Sequence, residues 1–356
     1  MKPRFQNATL TDKLIRREDF HEAYMKQVKS LVNTAPFKKN KLKIVVDVFH
    51  GAGRTYLPSL LRELGCEVEV LNDERDVYFE GRGPDPSTEG LEKLVKRVKA
   101  SKAHLGLATD GDADRFGVVD SDGTIISAND ILALLAQYLH QSRQWKGILA
   151  KSVMTTHAID AIARKYVLSL RETPVGFKYI GEAMQEAESV WPEMGGEFIM
   201  GAEESGGFTM RGHVPEKDGV LACLIVAEMV ASTKSSIKEL IKAFHAQVGI
   251  FLSRRVNLRA TPEIVRTVKE QFATKPPTQI NGLNVHRIVD IDGYKFIFQG
   301  GSWLGLRFSG TEPVVRVYTE ANNEKQLEVL AEAARSLLKS RTPEHVTSRK
   351  KVKVAR

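Results

Sequence analysis

Apolar, β-branched segments alternate with glycine-containing turns and helical segments along this sequence. The segment Lys41–Phe49 (KLKIVVDVF) predicts a buried strand, which runs into the turn at 50–53 and a helix over 57–64. The series continues with strand and helix patterns at 67–71, 88–99 and 103–108. Strands that alternate with helices are typical of βαβ units, so this block predicts an α/β layer.

A second block repeats the alternation, and the character of the chain then changes. Its strand patterns lie at 148–154, 168–172 and 197–200, and its helix patterns at 158–166, 179–188, 218–231 and 236–247. From Arg254 onward, consecutive strand patterns surround two helix patterns, which favours an antiparallel sheet. We therefore predict an α/β protein with two successive mixed α/β three-layer domains, followed by a smaller α+β domain with an antiparallel sheet.

Composition shifts suggest the limits of these domains. We place the two α/β domains at 39–145 and 146–250 and the α+β domain at 251–340. Residues 341–356 form a basic tail that we expect to be disordered. Residues 1–38 contain a helix pattern over 10–33, which carries an apolar stripe and stops before Pro36.

The formal net charge of +8 does not indicate a nucleic-acid partner, because the positive charge is concentrated at the two ends. The first 43 residues hold eleven lysines and arginines against four acids, and residues 341–356 hold six against one. The part between them is net acidic, whereas a nucleic-acid enzyme carries a basic groove through its folded body. We expect no nucleic-acid partner.

The cellular context follows from two further observations. No apolar stretch is long enough to cross about 30 Å of hydrocarbon, and the first twenty residues lack the apolar run of a secretory signal. The two cysteines, Cys66 and Cys223, lie far apart, which excludes a disulfide scaffold and a cysteine-rich zinc site. We expect a cytoplasmic protein that contacts no membrane.

The first loop that could bind a ligand or take part in catalysis follows the strand pattern at 103–108. Asp110, Asp112 and Asp114 are spaced two residues apart and would repel one another unless a cation lies among them; oxygen ligands favour Mg²⁺ or Ca²⁺. The adjacent Arg115 could hold a phosphate oxygen beside the metal. An EF-hand is excluded, because Arg115 and Ser121 occupy the positions that need glycine and glutamate. The alternative is an acidic turn that caps the next element.

A second loop is Gly201-Ala202-Glu203-Glu204-Ser205-Gly206-Gly207. Its glycines allow the backbone to approach a ligand closely, and the Glu203 carboxylate and Ser205 hydroxyl could hold adjacent hydroxyls of a polyol. An ordinary surface turn explains the same residues equally well.

A third loop lies between two strand patterns and reads Arg307-Phe308-Ser309-Gly310-Thr311-Glu312-Pro313. Its backbone N–H groups and its two hydroxyls could point at one anion, and the planar guanidinium of Arg307 could donate charge-assisted hydrogen bonds to the same anion. This grouping indicates a phosphate cradle, and the alternative is a hairpin turn.

Two nucleotide-binding classes are not supported. Gly51-Ala52-Gly53 follows a strand pattern, but Tyr56 occupies the place of the third glycine in the dinucleotide fingerprint. The sequence also contains no Walker A motif.

Four motifs in order resemble the alpha-D-phosphohexomutase family, the phosphoglucomutases and phosphomannomutases. They are DGDADR at 110–115, VGFKYI at 175–180, GAEESGG at 201–207 and RFSGTEPVVR at 307–316, and the match spans roughly residues 39–340. The resemblance implies a fold of four domains around a cleft, of which the last three correspond to this chain.

The resemblance also implies a role for each motif. Asp110, Asp112 and Asp114 would ligate Mg²⁺, with Arg115 as the catalytic arginine beside the reacting phosphoryl group. The substrate-binding residues would be Glu203 and Ser205, with Gly176, Phe177 and Lys178 as the companion loop of the sugar site. The phosphate-binding residues would be Arg307, Ser309, Gly310 and Thr311.

The family reaction would interconvert hexose 1-phosphate and hexose 6-phosphate through a hexose 1,6-bisphosphate intermediate. The chain departs from the family pattern because the phosphoserine loop, which resembles Thr-Ala-Ser-His-Asn-Pro, occurs nowhere in its 356 residues. Residues 1–38 would then be a connector from a missing first domain, and their apolar stripe would have lost its partner. We expect the chain to bind hexose phosphates and to be inactive alone, with the serine supplied by a separate N-terminal domain or subunit. The alternative is a catalytically silent hexose-phosphate-binding module.

Overall fold

The computed structural model describes residues 18–81, 83–190, 197–309 and 313–339. They form three sheets in chain order, two of mixed direction and one antiparallel, which confirms the predicted α/β class with an antiparallel C-terminal sheet. The proposed disordered tail lies outside the described residues.

The first sheet has the strand order β2-β1-β3-β4-β5. Its strands are β1 (Lys43–Asp47), β2 (Glu67–Leu71), β3 (Leu105–Thr109), β4 (Phe116–Asp120) and β5 (Ile125–Ile126). The first three are parallel, whereas β4 and β5 run antiparallel to their neighbours. The crossover helices are α3 (Leu57–Glu63) and α4 (Glu92–Ser101). The acidic loop therefore lies at the turn from β3 into β4.

The second sheet has the order β7-β6-β8-β9 and the same plan. Its strands are β6 (Ile148–Ser152), β7 (Ser169–Thr173), β8 (Phe198–Glu203) and β9 (Gly207–Met210), and its crossover helices are α6 (Ala158–Tyr166) and α7 (Phe177–Val190). Only β9 is antiparallel. The GAEESGG loop is thus the turn from β8 into β9.

Three helices lie beside or between these two sheets, and they are α5 (Ala128–Arg143), α8 (Gly219–Thr233) and α9 (Ile237–Val248). Helix α8 is buried from Gly219 to Ala231 and contacts β3, β4 and β9. One apolar cluster consequently runs from Val28 to Phe244 and includes residues of both sheets.

Taken singly, no helix in the described part of the chain is long and apolar enough to cross a membrane. Helices α8 and α9 reach that length and apolarity only as a pair bent by 81°.

The third sheet has the order β10-β15-β14-β13-β12-β11, and every pair in it is antiparallel. Its strands are β10 (Leu252–Arg259), β11 (Gln279–Ile280), β12 (Leu283–Val289), β13 (Tyr294–Phe298), β14 (Trp303–Phe308) and β15 (Val314–Ala321). Two helices, α10 (Pro262–Thr274) and α11 (Glu324–Lys339), contribute to its separate core.

The N-terminal helices α1 (His21–Leu31) and α2 (Ala35–Lys39) correct one prediction. The expectation that their apolar stripe has no partner is wrong, because Val28 is fully buried and Val32 nearly so in the main core. Glu228 on α8 accepts a hydrogen bond from the Asn33 backbone N–H at 2.7 Å. The stripe lacked an obvious partner in the sequence because α8 follows almost two hundred residues later.

The second and third sheets meet at a joint that holds two fully buried lysines, Lys151 on β6 and Lys295 on β13. Lys151 Nζ lies 2.8 Å from Asp160 Oδ2 and 3.2 Å from Glu172 Oε2. Lys295 Nζ donates to the Val153 carbonyl at 2.6 Å and lies 3.5 Å from Glu172 Oε2. Burial, together with the positive charge of Lys151, lowers the pKa of Lys295 to about 7.

Candidate active site at the sheet edges

The acidic loop places three carboxylates at the carboxyl end of β3. One ligand oxygen from each of Asp110, Asp112 and Asp114 lies within 4.8 Å of the other two. The Arg115 backbone N–H donates to Asp110 Oδ1 at 3.0 Å, and Ala113, at φ 64°, closes the turn in the left-handed region. The hairpin geometry therefore holds the three acids together at one point.

The electrostatics of this loop fit a hard cation. Burial, together with the charges of Asp114 and Asp112, raises the pKa of Asp110 to about 7. Asp114 Oδ1 is buried and accepts no hydrogen bond from the residues that the structure describes. Carboxylate oxygens arranged in this way are ligands that Mg²⁺ accepts, so the residues present fit the metal that the sequence implies.

Two cations flank the acids. Arg115 Nε lies 3.8 Å from Asp110 Oδ2 and 3.7 Å from Asp114 Oδ1, and within the described ranges it donates no hydrogen bond. Lys217 Nζ lies 2.6 Å from Asp114 Oδ2. A phosphate oxygen placed here would therefore meet positive charge from two side chains.

The second loop carries the predicted carboxylate and hydroxyl side by side. The Ser205 hydroxyl donates to Glu203 Oε2 at 2.9 Å, and the Gly176 backbone N–H donates to Glu203 Oε1 at 2.9 Å. Gly176 has φ 133°, a conformation that favours glycine. Glu203, Ser205 and Gly176, three residues of the predicted sugar site, therefore lie together.

The remaining members of the companion loop are placed differently. Phe177 and Lys178 open helix α7, so they are not loop residues. The Phe177 side chain is buried in the core of the second domain, and the Lys178 ammonium lies 4.6 Å from the centre of the Tyr179 ring. The Phe177 ring packs against Gly207 of the second loop, where an added Cβ would be 3.0 Å away. Phe177 thus supports that loop by packing.

The acidic loop and the second loop form one surface. Arg115 and Gly207 form an isolated antiparallel bridge, and the Gly219 backbone N–H donates to the Ala113 carbonyl at 2.9 Å. Gly219 has no room for a side chain, because a Cβ would lie within 3.0 Å of the carbonyl oxygens of Arg115 and Ala113. The start of α8 thereby fixes the two hairpin turns against each other.

The predicted phosphate cradle corresponds to the connection between β14 and β15. Arg307 lies at the end of β14 and is directly paired with Arg316 on β15. Two like charges in opposite positions of an antiparallel pair are unfavourable unless an acid or a bound anion compensates them, and Asp292 already contacts Arg307. The Ser309 backbone N–H donates to the Val314 carbonyl at 3.1 Å, whereas the predicted Gly310 and Thr311 lie outside the described residues.

Three polar residues at the site were not predicted from the sequence. Lys217 contacts Asp114 in the acidic loop. Asp292 lies in the turn between β12 and β13 and accepts from Arg307 Nε at 2.8 Å. Glu204 accepts from Ser152 Oγ at 2.5 Å; burial and the charge of Glu203 raise its pKa.

A second group of potential metal ligands consists of His157, Asp160 and Glu172. Lys151 Nζ already lies within 3.2 Å of both carboxylates of this group. A lysine ammonium therefore contacts two of the three ligands there, whereas Lys217 contacts only Asp114 in the acidic loop, so the loop at 110–114 is the better cation site.

Family models match three successive parts of the chain. Alpha/beta/alpha domain II of phosphoglucomutase/phosphomannomutase matches residues 22–123, alpha/beta/alpha domain III matches 127–248, and the C-terminal domain matches 256–337.

Individual relatives agree with these matches. A phosphoglucomutase/phosphomannomutase of Thermococcus kodakarensis is 32% identical over 324 residues, which cover 91% of this chain and 66% of the relative. A phosphoglucosamine mutase of Caldicellulosiruptor bescii is 29% identical, with 92% and 66% covered. The crystal structure of a candidate phosphomannomutase from Thermus thermophilus superposes with a TM-score of 0.75 at 27% identity, covering 90% of this chain and 66% of that one. The chain thus spans about two thirds of the length of these proteins.

Proposed function

The chain belongs to the phosphoglucomutase/phosphomannomutase family, and we propose that its residues form the metal, sugar and phosphate sites of a hexose-phosphate mutase. The metal site belongs to a domain at 39–145, the sugar site to one at 146–250 and the phosphate cradle to one at 251–340. The enzyme class is an intramolecular phosphotransferase, an isomerase that interconverts hexose 1-phosphate and hexose 6-phosphate through hexose 1,6-bisphosphate.

One observation carries this proposal. The bridge between Arg115 and Gly207 joins the acidic loop to the sugar loop, so a phosphoryl group beside Arg115 would lie next to a sugar held by Glu203 and Ser205. A sugar phosphate is a ligand that needs those two sites side by side.

Each group has a distinct task in the proposed reaction. Asp110, Asp112 and Asp114 would hold Mg²⁺, which supplies neutralisation of the charge on the phosphoryl group in transfer. Arg115 orients that phosphoryl group by hydrogen bonds to its oxygens. Lys217 neutralises Asp114 and adds positive charge.

The other two sites orient the substrate. Glu203 and Ser205 bind two sugar hydroxyls, and Arg307 holds the phosphate that is not reacting. Because a hexose 1,6-bisphosphate is nearly symmetric, the same sites can accept it in either orientation. The protein's contribution is therefore mostly positioning and electrostatic stabilisation.

The proposal also concerns the phosphoserine nucleophile of the family reaction. No loop of the family's phosphoserine type occurs in these 356 residues, so this chain by itself binds hexose phosphates without interconverting them. Turnover then requires a serine-bearing segment, either in the same polypeptide or on another subunit.

Binding and turnover are measured separately to test this function. We expect calorimetric titration to detect Mg²⁺-dependent binding of glucose 1,6-bisphosphate and a coupled assay to detect negligible conversion of glucose 1-phosphate. D112N should abolish the Mg²⁺ dependence, whereas the control D122N, a distant acid paired with Lys238, should not. Absence of binding by the unmodified chain would overturn the proposed site, and robust turnover would overturn the inactivity.

The second candidate is a catalytically silent hexose-phosphate-binding module. It shares the binding behaviour, so a rescue experiment discriminates between the two. Addition of the first domain of the Thermococcus kodakarensis relative should restore turnover if the chain is part of a mutase. A chain that binds the bisphosphate but gains no turnover from that domain favours the silent module.

A further inference from the structure

Asp292 occupies a position that the proposed reaction does not explain. It lies in the turn between β12 and β13, about three-quarters buried. Its Oδ2 accepts two hydrogen bonds from different parts of the chain, one from Arg307 Nε at 2.8 Å and one from the Val175 backbone N–H at 3.1 Å. One carboxylate oxygen thus links the predicted phosphate arginine to the loop after β7.

This link continues to the sugar loop. Val175 is followed by Gly176, whose N–H donates to Glu203 Oε1, and Glu203 Oε2 accepts from Ser205. A continuous series of hydrogen bonds and one peptide unit therefore joins Arg307 to Ser205. We propose that Asp292 is a positioning residue that couples the phosphate cradle to the sugar loop, an inference that rests on the proposed function.

The chemistry of the guanidinium supports this role. Arginine presents its donors in a fixed planar fork, and Asp292 engages only the Nε–H of Arg307. The terminal nitrogens lie at the other end of the fork, where a phosphate could bind, and the charge-assisted bond fixes the plane in which they lie. Arg307 therefore keeps its contact with Asp292 when an anion binds to its other end.

The backbone contact explains how the effect reaches the sugar. Val175 and Gly176 lie in a short segment between β7 and α7, and Gly176 has a left-handed φ. A shift of Asp292 moves the Val175 N–H and, with it, the Gly176 N–H that orients Glu203. Phosphate capture by Arg307 and sugar recognition by Glu203 are consequently not independent.

A matched pair of variants tests the coupling. D292N removes the charge but keeps the size, and D290N makes the same change two residues earlier at an exposed position. Calorimetry would compare the affinities for inorganic phosphate and for glucose 1-phosphate. We expect D292N to lower the affinity for glucose 1-phosphate about tenfold more than that for inorganic phosphate, and D290N to change neither.

A double-mutant cycle separates coupling from a structural defect. S205A should weaken glucose 1-phosphate binding strongly in the unmodified chain and much less in the D292N chain, although Asp292 and Ser205 share no direct contact. Equal loss for phosphate and glucose 1-phosphate in D292N, or strictly additive effects of D292N and S205A, would overturn the proposal.

A measurement on the unmodified chain covers the case in which D292N does not fold. Saturating inorganic phosphate should slow amide hydrogen exchange in a peptide that covers residues 174–180, which does not include the phosphate loop. Unchanged exchange there, with phosphate bound, would contradict the coupling. If the unmodified chain binds phosphate but no hexose phosphate, the proposed function is wrong. The exchange measurement would still test whether Asp292 couples Arg307 to the segment after β7.

Discussion

Replacement of the buried Lys295 by methionine should change the pH dependence of stability. Lys295 is fully buried, and its ammonium lies 4.3 Å from the centre of the Trp303 ring. The charged groups facing it are Lys151, Glu172, Asp160 and Glu320, and burial is the largest cause of its lowered pKa. Methionine fills a similar volume and does not titrate.

The sign follows from proton binding in the two states. The pKa of Lys295 is about 7 in the folded chain against an ordinary value of 10.5, so between these values the unfolded chain holds a proton that the folded chain has released. Unfolding then takes up a proton, and the free energy of unfolding rises with pH. The slope is about 1.4 kcal/mol per pH unit, which gives about 2 kcal/mol between pH 7.5 and pH 9.

The assay is urea unfolding at both pH values, followed by the fluorescence of Trp303 in a W145F and W191F background. The unmodified chain should gain about 2 kcal/mol relative to K295M as the pH rises over this range. The control K269M removes an exposed lysine of the same domain and should run parallel to the unmodified chain at both pH values.

A gap between the unmodified chain and K295M that does not change from pH 7.5 to pH 9 would refute the reasoning. That result would mean that Glu172 and the Val153 carbonyl keep Lys295 charged over the whole range.

Three further predictions concern the metal loop, one helix end and one cysteine. G51A should lower the affinity for Mg²⁺ at least tenfold, as measured by titration calorimetry, because a Cβ at Gly51 would lie 2.5 Å from the Gly111 carbonyl oxygen. The control is G83A, which has open space around the added Cβ. Equal Mg²⁺ affinities of G51A and G83A would contradict the expectation. S236A should destabilise the chain to urea by about 1 kcal/mol, because it removes the capping box of α9, and an unchanged midpoint would argue against this. Cys66 should react with iodoacetamide at pH 8 far more slowly in the folded than in the urea-unfolded chain, as measured by mass spectrometry, because burial raises its pKa to about 11; equal rates would show that the thiol is accessible.

Much of the fold could be predicted because its central parallel strands, β1, β3 and β6, are buried on both faces. The Lys41–Phe49 segment reads as a run of apolar, β-branched residues, and β1 lies inside it. The antiparallel strands β4 and β9 were not predicted, since each follows a loop of polar and glycine residues that dominates the local pattern. Those two strands are nevertheless what turn the acidic and sugar loops into rigid hairpins.

The site also contains residues that the sequence predicts and residues that it does not. Asp110, Asp112 and Asp114 could be found from spacing alone, because local chain geometry brings them together. Asp292 could not, because an Asp-Gly pair indicates a turn and its partner Val175 lies 117 residues away. Lys217 was overlooked for the same reason, since its contact with Asp114 depends on how α8 approaches the first sheet.

The burial of α8 has a consequence for how the chain can be divided. Since one apolar cluster includes this helix and residues of both mixed sheets, we expect the described residues between 18 and 250 to unfold together, although family models divide them into two domains. A protease cut or a gene fission near residue 145 would separate β1–β5 from α8 and leave two aggregation-prone halves. The joint around Lys295 differs, because beside its charged groups it holds only a small apolar cluster among the described residues, made of Val153, Met154, Trp303 and Tyr318. Any natural subdivision of this polypeptide should therefore fall near residue 250.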